Sequence, residues 1–559
     1  MPRITINGRE LEFTKGQTIL QVALDAGIEI PHYCYHPGLS IVANCRICLG
    51  EVWAPNPKTG ALEPIPKLLP TCQTTCGDNQ VVYTDSPKAI ANQKSVMEYL
   101  LINHPVDCPV CDQAGECHLQ DYSYQYGRGV ARFQEEKIKQ PKKDVGEHVL
   151  LYSDRCIMCT RCVRFTREVT GGGELYVDGR GAHEQIDVFP GLALNSELSG
   201  NVVDICPVGA LLDKDFLFQQ RVWFLSKTPS IDPLTASGDN IFIEHSKGQI
   251  YRIKPRTNLE VNKWWITDEV RYGWKFVHSD DRLTMPRVRA AGTSGFDPND
   301  PVDAPLAWDA AYEAVVSALG EARKPALMLS PMLASEDTWL LATFAQSINP
   351  DVVLALGPVP VQGEDKIYAG GAGMKDGFKI YAEKAPNARG VRRVLKQLAG
   401  GKAMDFDGLQ NALAKDGSID ALVLTGNYPS NWVTPAFAAA VGAKKRFLAV
   451  IDTLPSLLTD KADVVIPSAT WAEKSGCFEN AAGRIQAFER AIAPADFCKS
   501  ESQIALDLAA VRSGERPSVY DAAATRQAMA QALKADDFAK VALAGDVEKV
   551  ESDMQLVEL

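Results

Sequence analysis

The chain has 559 residues, of which 46% are hydrophobic and 23% are charged, and its formal net charge at pH 7 is −12. This length exceeds what one hydrophobic core usually supports, so more than one domain is expected. The acidic balance argues against a nucleic-acid partner. No apolar run reaches the roughly 18–20 residues that span a bilayer, and the N-terminus lacks the pattern of a signal or transit peptide. We therefore expect any membrane association to come through partner proteins.

Residues 1–80 are predicted to form a small β-rich domain. The run RITINGRELEF alternates in polarity and turns at Asn7-Gly8, which is a strong hairpin signal. The run TILQVALDAG then predicts an amphipathic helix, with Thr18 as its N-cap and Gly27 at its end.

Residues 81–225 contain further cysteines among short predicted helices, and the composition changes at about residues 227–233. The run GDNIFIEHSKGQIYRIKPR predicts a hairpin near the start of a different domain, residues 226–520. From about residue 300, helical patterns such as APLAWDAAYEAVVSALGEA alternate with buried-strand patterns such as DALVLTG and RFLAVID. This alternation favours an α/β domain with a mainly parallel sheet. Residues 521–559 are an Ala-rich acidic tail, predicted to be helical or partly loose.

The cysteines are unevenly distributed along the chain. Of the 14, 12 precede residue 207, and only Cys477 and Cys498 follow. Because no secretion signal is evident, disulfides are not expected, and metal ligation is the better interpretation.

The first group is Cys34, Cys45, Cys48 and Cys72, spaced C-x10-C-x2-C-x23-C. Four thiolates suit a [2Fe–2S] cluster, and a close C-x2-C pair beside more distant cysteines is typical of ferredoxin sites, although plant-type ferredoxins have a shorter first spacing. A zinc site is the alternative. Cys76 competes for the fourth ligand position; we favour Cys72 and interpret Cys76 as a spare buried thiol.

The second group is His104, Cys108, Cys111 and Cys117 in HPVDCPVCDQAGECHLQD, spaced H-x3-C-x2-C-x5-C. Three thiolates and one imidazole bind either zinc or a [4Fe–4S] cluster with one His ligand. The three thiolates leave a fourth position open, which favours His104 as a ligand over a surface or core role. His118 is the competing candidate. It adjoins Cys117, so the two side chains are not expected to face the same cluster.

The third group is Cys156, Cys159 and Cys162 in RCIMCTRCVRF, followed by Cys206 in DICPVGAL. This is the bacterial ferredoxin arrangement for [4Fe–4S], including the Cys-Pro at the distant ligand. Zinc sites usually supply cysteines as separated pairs instead. In two-cluster ferredoxins the Cys-Pro cysteine ligates the other cluster. Since the second group already has four candidates, we assign Cys206 to the third.

These three groups, in this order, resemble the large iron–sulfur subunit of respiratory complex I (the bacterial G subunit of NADH:quinone oxidoreductase, or the mitochondrial 75 kDa subunit). The matching runs are CYHPGLSIVANCRICLGE, HPVDCPVCDQAGECHLQD, RCIMCTRCVRF and DICPVGAL. The runs GQIYRIKPRTNLEVNKWWITDEVRYG, KAPNARG and ADVVIPSATWAEKSGCFENAAGRIQ also look like this family, so the resemblance reaches from residue 1 to about 490.

The resemblance implies an α+β part followed by an α/β part. It implies a β-grasp [2Fe–2S] ferredoxin domain over 1–80, a ferredoxin-like region with two [4Fe–4S] clusters over 81–225, the first with a His ligand, and a molybdopterin-oxidoreductase-like domain without metal over 226–520. Some bacterial members carry a fourth cluster at the start of that last domain. Residues 207–476 contain no cysteine, so that site is expected to be absent here. The chain is shorter than many members, which suggests a trimmed C-terminal domain.

The resemblance further implies an electron-transfer subunit of NADH:quinone oxidoreductase. Such a subunit relays electrons from the flavin subunit, which oxidises NADH, toward the quinone-side iron–sulfur subunits. No NADH or quinone site, flavin, molybdenum or catalytic residue is expected on this chain, because no Walker motif is present and GGAGMKDG (370–377) has the wrong spacing for a dinucleotide turn. The location implied is peripheral, at the cytoplasmic face of the bacterial inner membrane or, alternatively, on the mitochondrial matrix side.

Three residues in or beside the cysteine loops are candidates for redox tuning. Replacing a thiolate by neutral His104 is expected to raise the potential of that cluster. Arg46 and Arg161 would also favour the reduced form, unless they are simply solvated. The segment WAEKSGCFEN, which contains Cys477, is interpreted as a packing loop rather than a metal site.

Two other function classes compete with this interpretation. One is a redox enzyme with the same N-terminal architecture, such as an iron-only hydrogenase or a molybdenum or tungsten formate dehydrogenase. The hydrogenase needs several further cysteines, and the dehydrogenase needs an additional four-cysteine cluster and a Cys or selenocysteine ligand downstream. The sequence contains neither set. The other is a zinc-stapled scaffold with no redox role, which EPR distinguishes because zinc is silent.

Overall fold

The computed structural model describes residues 1–289, 304–415 and 419–541. The chain divides into two compact units. The N-terminal unit comprises residues 1–225 and 368–378, and the C-terminal unit comprises residues 226–367 and those from 379 onward. In the described part of the chain, no helix is both long and apolar enough to cross a membrane.

The N-terminal unit begins with a β-grasp sheet. Its strands are β1 (Arg3–Ile6), β2 (Arg9–Glu12), β3 (Leu49–Pro55), β4 (Leu62–Pro64), β5 (Leu69–Pro70) and β6 (Gln80–Tyr83). They run in the order β2-β1-β6-β3-β4, with β5 paired to β3, and β1 and β6 are parallel. The predicted hairpin is confirmed, because Asn7 and Gly8 both have the positive φ that a tight turn between β1 and β2 requires.

Helix α1 (Ile19–Asp25) packs on this sheet through four buried apolar side chains. It begins in a capping box: the Gln21 N–H donates to Thr18 Oγ1 and the Thr18 N–H donates to Gln21 Oε1. Gly27 follows it with a φ of 67°, so the predicted cap and stop are both confirmed. The helix and sheet bury a core that includes Cys48 and Cys72, which ties the cysteine loops to the folded domain.

The rest of the N-terminal unit consists of short helices and two small sheets. The helices are α2 (Pro87–Leu101), α3 (His118–Tyr126), α4 (Arg161–Glu168) and α5 (Asn201–Ile205). The strands are β7 (Lys142–Asp144), β8 (Val149–Tyr152), β9 (Leu175–Asp178), β10 (Gln185–Val188) and β11 (Leu211–Asp213), paired as β11-β8-β7 and β10-β9.

The C-terminal unit opens with an antiparallel sheet of three strands, β12 (Ser226–Ile231), β13 (Asn240–Ser246) and β14 (Gln249–Pro255). Helix α6 (Asp268–Tyr272) follows, capped by Thr267. The hairpin predicted from GDNIFIEHSKGQIYRIKPR is therefore confirmed as β13 and β14.

A six-stranded α/β sheet forms the centre of the C-terminal unit. The elements from residue 287 onward are β15 (Arg287–Val288), α7 (Ala304–Glu321), β16 (Pro325–Leu329), α8 (Ser335–Ile348), β17 (Val353–Leu356), β18 (Lys366–Tyr368), β19 (Phe378–Ile380), α9 (Ala388–Leu398), α10 (Phe406–Lys415), β20 (Ala421–Thr425), α11 (Pro435–Gly442), β21 (Phe447–Asp452), β22 (Val464–Pro467), β23 (Gly476–Glu479), β24 (Ile485–Phe488), α12 (Glu501–Ser513), α13 (Ala522–Leu533) and α14 (Asp536–Ala539). The strand order is β15-β22-β21-β20-β16-β17, and all neighbours are parallel except β15. The predicted mainly parallel sheet is thus confirmed.

Three features depart from simple expectation. The segment around Cys477 is the strand β23, paired with β24, rather than the loop that its composition predicts, because its residues alternate between two buried surfaces. Helices α13 and α14, from the predicted tail, pack against Cys477, and residues 542–559 of that tail lie outside the described residues. The stretch 368–378 belongs to the N-terminal unit, where the Ala372 N–H donates to the Gly38 carbonyl (3.0 Å).

Candidate metal centres

The four thiols of the first group meet beside the β-grasp sheet. The Cys34 thiol is hydrogen-bonded to those of Cys45 and Cys72, and Cys72 is also hydrogen-bonded to Cys48. These mutual hydrogen bonds lower the pKa of Cys34 and raise the pKa of Cys45 and Cys72. The thiols are buried except for Cys45, which is half-buried. Four thiols linked in this way match the donor set of a [2Fe–2S] site, although no three His, Cys, Asp or Glu side chains among the described residues are arranged to hold a single metal ion.

Cys76 has a different environment from Cys72. Burial raises the pKa of its thiol to about 11. Its backbone N–H donates to the Gln17 carbonyl (2.9 Å). The structure thus brings Cys72, rather than Cys76, into hydrogen-bond contact with other thiols of the group. Which of the two ligates a cluster stays a prediction.

The loops of the first and third groups contain left-handed backbone at residues other than glycine. Ala43 and Arg46 have φ values of 51° and 59°, and Met158 and Thr160 have 52° and 59°. Each such residue costs on the order of 1–3 kcal/mol unless the surroundings impose the conformation. These residues flank Cys45 and Cys159, so the strain lies where the chain must curl to turn successive thiols toward one point. No glycine marks these positions in the sequence, so pattern reading missed them.

Cys108 and Cys111 lie between α2 and α3, and Cys117 is the N-cap residue of α3. Burial raises the pKa of Cys117 to about 12, and the charges of Cys111 and Cys108 act in the same direction. Arg155, which is buried and paired with Asp107 (Nη2–Oδ2 2.9 Å), opposes the burial effect on the pKa of Cys111. Sequence reasoning did not identify Arg155, although it directly precedes the third cysteine motif.

The two candidate histidines differ in burial. Burial lowers the pKa of His104 to about 4, so its imidazole is neutral at pH 7, the form that binds a metal. Its Nδ1 is buried and has no hydrogen-bond partner among the described residues. The charge of Arg155 lowers the pKa of both His104 and Cys111. His118 is exposed at the first residue of α3, with its ring 5.9 Å from that of Tyr122.

The third group surrounds a small cavity. The cavity is lined by all four cysteines, by Thr160 and Arg161, and by the apolar residues Leu151, Ile157, Ile186, Val208, Ala210 and Leu211. Burial raises the pKa of Cys159 to about 11 and that of Cys162 well above its usual value. Backbone N–H groups point at the sulfurs. The N–H of Met158 donates to Cys156 Sγ (3.4 Å), and the N–H groups of three of the residues that follow Cys206 donate to its thiol. A cavity lined by apolar side chains, thiols and N–H donors fits an iron–sulfur cluster.

The third group contacts both of the others. Arg164 Nη2 donates to the carbonyl of Cys34 (2.5 Å) and to that of Cys159 (3.2 Å), which joins it to the first group. On the other side, a Cβ added to Gly209 would lie 2.3 Å from Cys111 Sγ, so the chain after Cys206 touches the second group. The spacing of cysteines along the sequence does not reveal this arrangement, because it arises from long-range contacts.

The two arginines expected to tune the clusters have opposite environments. Arg46 is exposed, so the solvated interpretation applies to it. Arg161 is only 5% exposed and lines the cavity of the third group. Arg164, which sequence reasoning did not single out, is 7% exposed.

The two late cysteines are both buried. Cys477 is fully buried beside Met529, Leu533 and Phe538, and its N–H donates to Glu336 Oε2 (2.8 Å). Cys498 donates through Sγ to the Leu283 carbonyl (3.2 Å).

Five family models match the chain in the order of its domains. They are a 2Fe-2S iron-sulfur cluster binding domain (residues 2–87), an NADH-ubiquinone oxidoreductase-G iron-sulfur binding region (93–132), the ferredoxin-like domain of NADH-quinone oxidoreductase subunit 3 (146–212), a 4Fe-4S domain of the NADH-ubiquinone oxidoreductase NDSU1/NuoG-like type (225–275) and molybdopterin oxidoreductase (384–511). The segment 225–275 contains no cysteine, so it matches that model without thiolate ligands.

Curated relatives carry related names. The NADH-quinone oxidoreductase G subunit of Rickettsia bellii is 37% identical over 351 residues, which cover 62% of this chain and 49% of that protein. The NADH-ubiquinone oxidoreductase 75 kDa subunit of Reclinomonas americana is 43% identical over 292 residues, 52% of this chain and 41% of that protein. The chain therefore spans about half the length of the curated relatives it matches. Among solved structures, a chain of an NAD+-reducing [NiFe]-hydrogenase aligns at 26% identity with a TM-score of 0.35, over 40% of this chain and 91% of that chain.

These matches assign the chain to a class of iron–sulfur proteins. It has a 2Fe-2S ferredoxin domain, 4Fe-4S ferredoxin-like domains and a molybdopterin-oxidoreductase domain, which agrees with the fold class predicted from the sequence. Within that class, the chain is a homologue of the G subunit of NADH-quinone oxidoreductase, which is also named the 75 kDa subunit. The predicted resemblance is confirmed.

Proposed function

We propose that this chain is an electron-relay subunit of an NADH:quinone oxidoreductase, with one [2Fe–2S] and two [4Fe–4S] clusters. Such clusters supply one-electron transfer when bound. The proposed ligands are Cys34, Cys45, Cys48 and Cys72 for the [2Fe–2S] cluster, His104, Cys108, Cys111 and Cys117 for one [4Fe–4S] cluster, and Cys156, Cys159, Cys162 and Cys206 for the other. The observation that carries the proposal is the contact of the third group with both others, because a relay requires its centres to be close neighbours.

The surrounding residues suit this role. Apolar side chains line the cavity of the third group, and backbone N–H groups donate to its sulfurs. Both features set the potential of an iron–sulfur site. The neutral His104 imidazole, with Nδ1 unpartnered among the described residues, supports a fourth ligand for the second group.

The partners would be a flavin subunit that oxidises NADH and iron–sulfur subunits on the quinone side. This chain would therefore receive and pass on electrons, with no NADH or quinone site of its own. The complex would hold it at a peripheral position, on the cytoplasmic face of a bacterial inner membrane or on the mitochondrial matrix side.

The C-terminal unit would act as a structural platform without molybdenum. Its fully buried Cys477 packs against the apolar side chains of Met529, Leu533 and Phe538, and that cluster of described residues contains no second thiol to join it as a ligand. Residues 225–275 lack thiols altogether, so we propose no fourth cluster there.

Metal analysis combined with EPR tests the proposal on the full chain after anaerobic reconstitution. Two [4Fe–4S] clusters and one [2Fe–2S] cluster require about ten iron atoms per chain. Graded reduction should develop one binuclear signal and two tetranuclear signals. Stoichiometric zinc with no reducible signal would contradict the proposal, and about fourteen iron atoms would show that the ligand assignment omits a cluster.

A further inference from the structure

Two buried arginines lie in the first turn of α4, one on each side of Cys162 in the sequence. Arg161 and Arg164 are 5% and 7% exposed. Their hydrogen-bond partners in the described part of the chain are all backbone carbonyl groups, and neither forms an ion pair with a described residue. Burying a guanidinium without a counter-charge costs several kcal/mol, so an anion is expected beside them.

The terminal nitrogens of Arg161 connect two of the cysteine groups. Nη2 donates to the carbonyl of Tyr35 (2.5 Å), which follows Cys34 of the first group. Nη1 donates to the carbonyl of Ile205 (3.1 Å), which precedes Cys206 of the third group. One planar group therefore fixes the position of a ligand loop on each side.

The third guanidinium nitrogen of Arg161 is Nε. This nitrogen is buried and forms no hydrogen bond with any described residue. Arg161 also lines the cavity enclosed by the four thiols of the third group. An unsatisfied buried donor costs about 1–3 kcal/mol, so a ligand that accepts this N–H is favoured at that position.

The thiols of Cys159, Cys206 and Cys34 lie close enough to Arg161 to attract its guanidinium once they are thiolates, as they would be when they bind a cluster, whereas the charge of Arg164 repels it. The three belong to the first and third groups, so the same positive charge acts on both sites. A cation and an N–H donor beside a cluster stabilise its reduced form, which carries one more negative charge.

We propose that Arg161 is the positioning residue that raises the potential of the third cluster and couples it to the first site. Its Nε–H would donate to the cluster held by Cys156, Cys159, Cys162 and Cys206, and its terminal nitrogens bind the backbone of the Tyr35 loop and of the segment before Cys206. The inference rests on the proposed function, since it requires iron–sulfur clusters at both groups. Arg164 is assigned a different role: its Nε already donates to the Thr160 carbonyl (3.3 Å), and it supports the loop of Cys34 and Ser40.

The test is an EPR-monitored redox titration of the reconstituted full chain and its Arg161→Gln variant. The third cluster is identified as the signal that disappears in Cys159→Ala. Arg161→Gln is expected to lower the equilibrium constant for one-electron reduction of this cluster about tenfold, which corresponds to about 59 mV. Iron content and melting temperature are measured on the same samples.

Arg164→Gln is the matched control, because it removes an equally buried charge one turn away without removing the unpartnered donor. It is expected to shift the third potential by less than half as much and to disturb the [2Fe–2S] signal instead. An unchanged third potential in Arg161→Gln, or an equal shift in both variants, would overturn the inference.

If Arg161→Gln loses the third cluster, Arg161→Lys is titrated in its place, since this variant keeps the positive charge but lacks the Nε donor. A lower potential of the third cluster in Arg161→Lys than in the wild type supports the proposal, and an unchanged potential overturns it. Failure of the proposed function is distinguishable from failure of this inference. A wild-type chain without the third signal contradicts the function, whereas a wild-type signal that does not depend on Arg161 contradicts only the role of Arg161.

Discussion

The substitution Gly209→Ala tests whether the chain that follows Cys206 of the third group holds Cys111 of the second group in position. A Cβ at this position would lie 2.3 Å from Cys111 Sγ and 3.0 Å from the Cβ of Gln113. Nonbonded heavy atoms prefer separations of about 3.5–4.0 Å, so Gly209→Ala requires Cys111 Sγ to move by about 1 Å or more. A metal-binding side chain tolerates displacements of only about 0.5 Å. The variant is therefore expected to lose the [4Fe–4S] cluster of the second group.

We expect Gly209→Ala to lower the free energy of unfolding by about 1–3 kcal/mol, because the added methyl group overpacks a dense interior. For a unit of this size, the melting temperature should fall by roughly 2–4 °C for each kcal/mol. Iron analysis should give about six atoms per chain rather than about ten, if one [4Fe–4S] cluster is lost. Gly129→Ala is the control, because its added Cβ would meet no described atom within 4 Å.

The EPR spectrum separates the local effect from general unfolding. Gly209→Ala should abolish one [4Fe–4S] signal and leave the [2Fe–2S] signal in place, since the atoms nearest the added Cβ belong to Cys111, Gln113 and Arg155. Full iron content with both [4Fe–4S] signals unchanged would refute the reasoning, as it would mean that Cys111 is not held by this contact.

The ligand and domain assignments lead to four more tests. Cys72→Ser should perturb or abolish the [2Fe–2S] EPR signal, because an alkoxide is a poorer soft-metal ligand than a thiolate, whereas Cys76→Ser should leave it intact; the reverse result would exchange the two assignments. His104→Ala should disturb one [4Fe–4S] signal and His118→Ala neither, and EPR of both variants would expose a wrong choice of histidine. Metal analysis should find no stoichiometric molybdenum or tungsten, and Cys477→Ala should keep the full iron content; formate oxidation that vanishes in this variant would mean that the C-terminal unit is catalytic. Removal of iron by a chelator should increase amide hydrogen exchange in the N-terminal unit, where buried arginines lose their counter-charge, but not in the C-terminal unit; equal increases would argue against that electrostatic coupling.

Local sequence signals predicted the parts of the fold that depend on neighbouring residues. The Asn7-Gly8 turn and the Thr18 cap are set by backbone conformation and by bonds within one turn of helix, so they can be recognised from a few residues. The buried strands of the C-terminal unit were equally clear, because their continuous apolar runs suit a sheet covered on both faces. The cysteine spacing likewise indicated three groups, because each motif is mostly local.

Features that depend on distant contacts were not predictable in this way. An arginine in a cysteine loop is usually solvated. Apart from the local carbonyl groups of Cys159 and Thr160, the carbonyl groups that bind Arg161 and Arg164 come from segments more than 120 residues away or from the segment of Cys206. The left-handed conformations at Met158 and Thr160 have no glycine to announce them. In both cases the tertiary structure around the site imposes a side-chain burial or a backbone conformation that these residue types do not usually adopt.

The strand at Cys477 was likewise not predictable from its local sequence. Small and polar residues around it favoured a loop, yet β23 pairs with β24 and is buried on both sides. Its strand character comes from packing against α13 and α14, which are more than 40 residues further along the chain. Likewise, nothing in GGAGMKDG indicated that residues 368–378 belong to the N-terminal unit.

The relay role is tested most directly in the assembled complex carrying Cys159→Ala, with assembly of the complex verified by native gel. Electron flow from NADH to quinone is measured beside NADH oxidation by ferricyanide, which takes electrons before they reach this chain. The relay role predicts that NADH-to-quinone activity is lost while NADH-to-ferricyanide activity is retained. Full NADH-to-quinone activity in a complex that has lost the third cluster would contradict it.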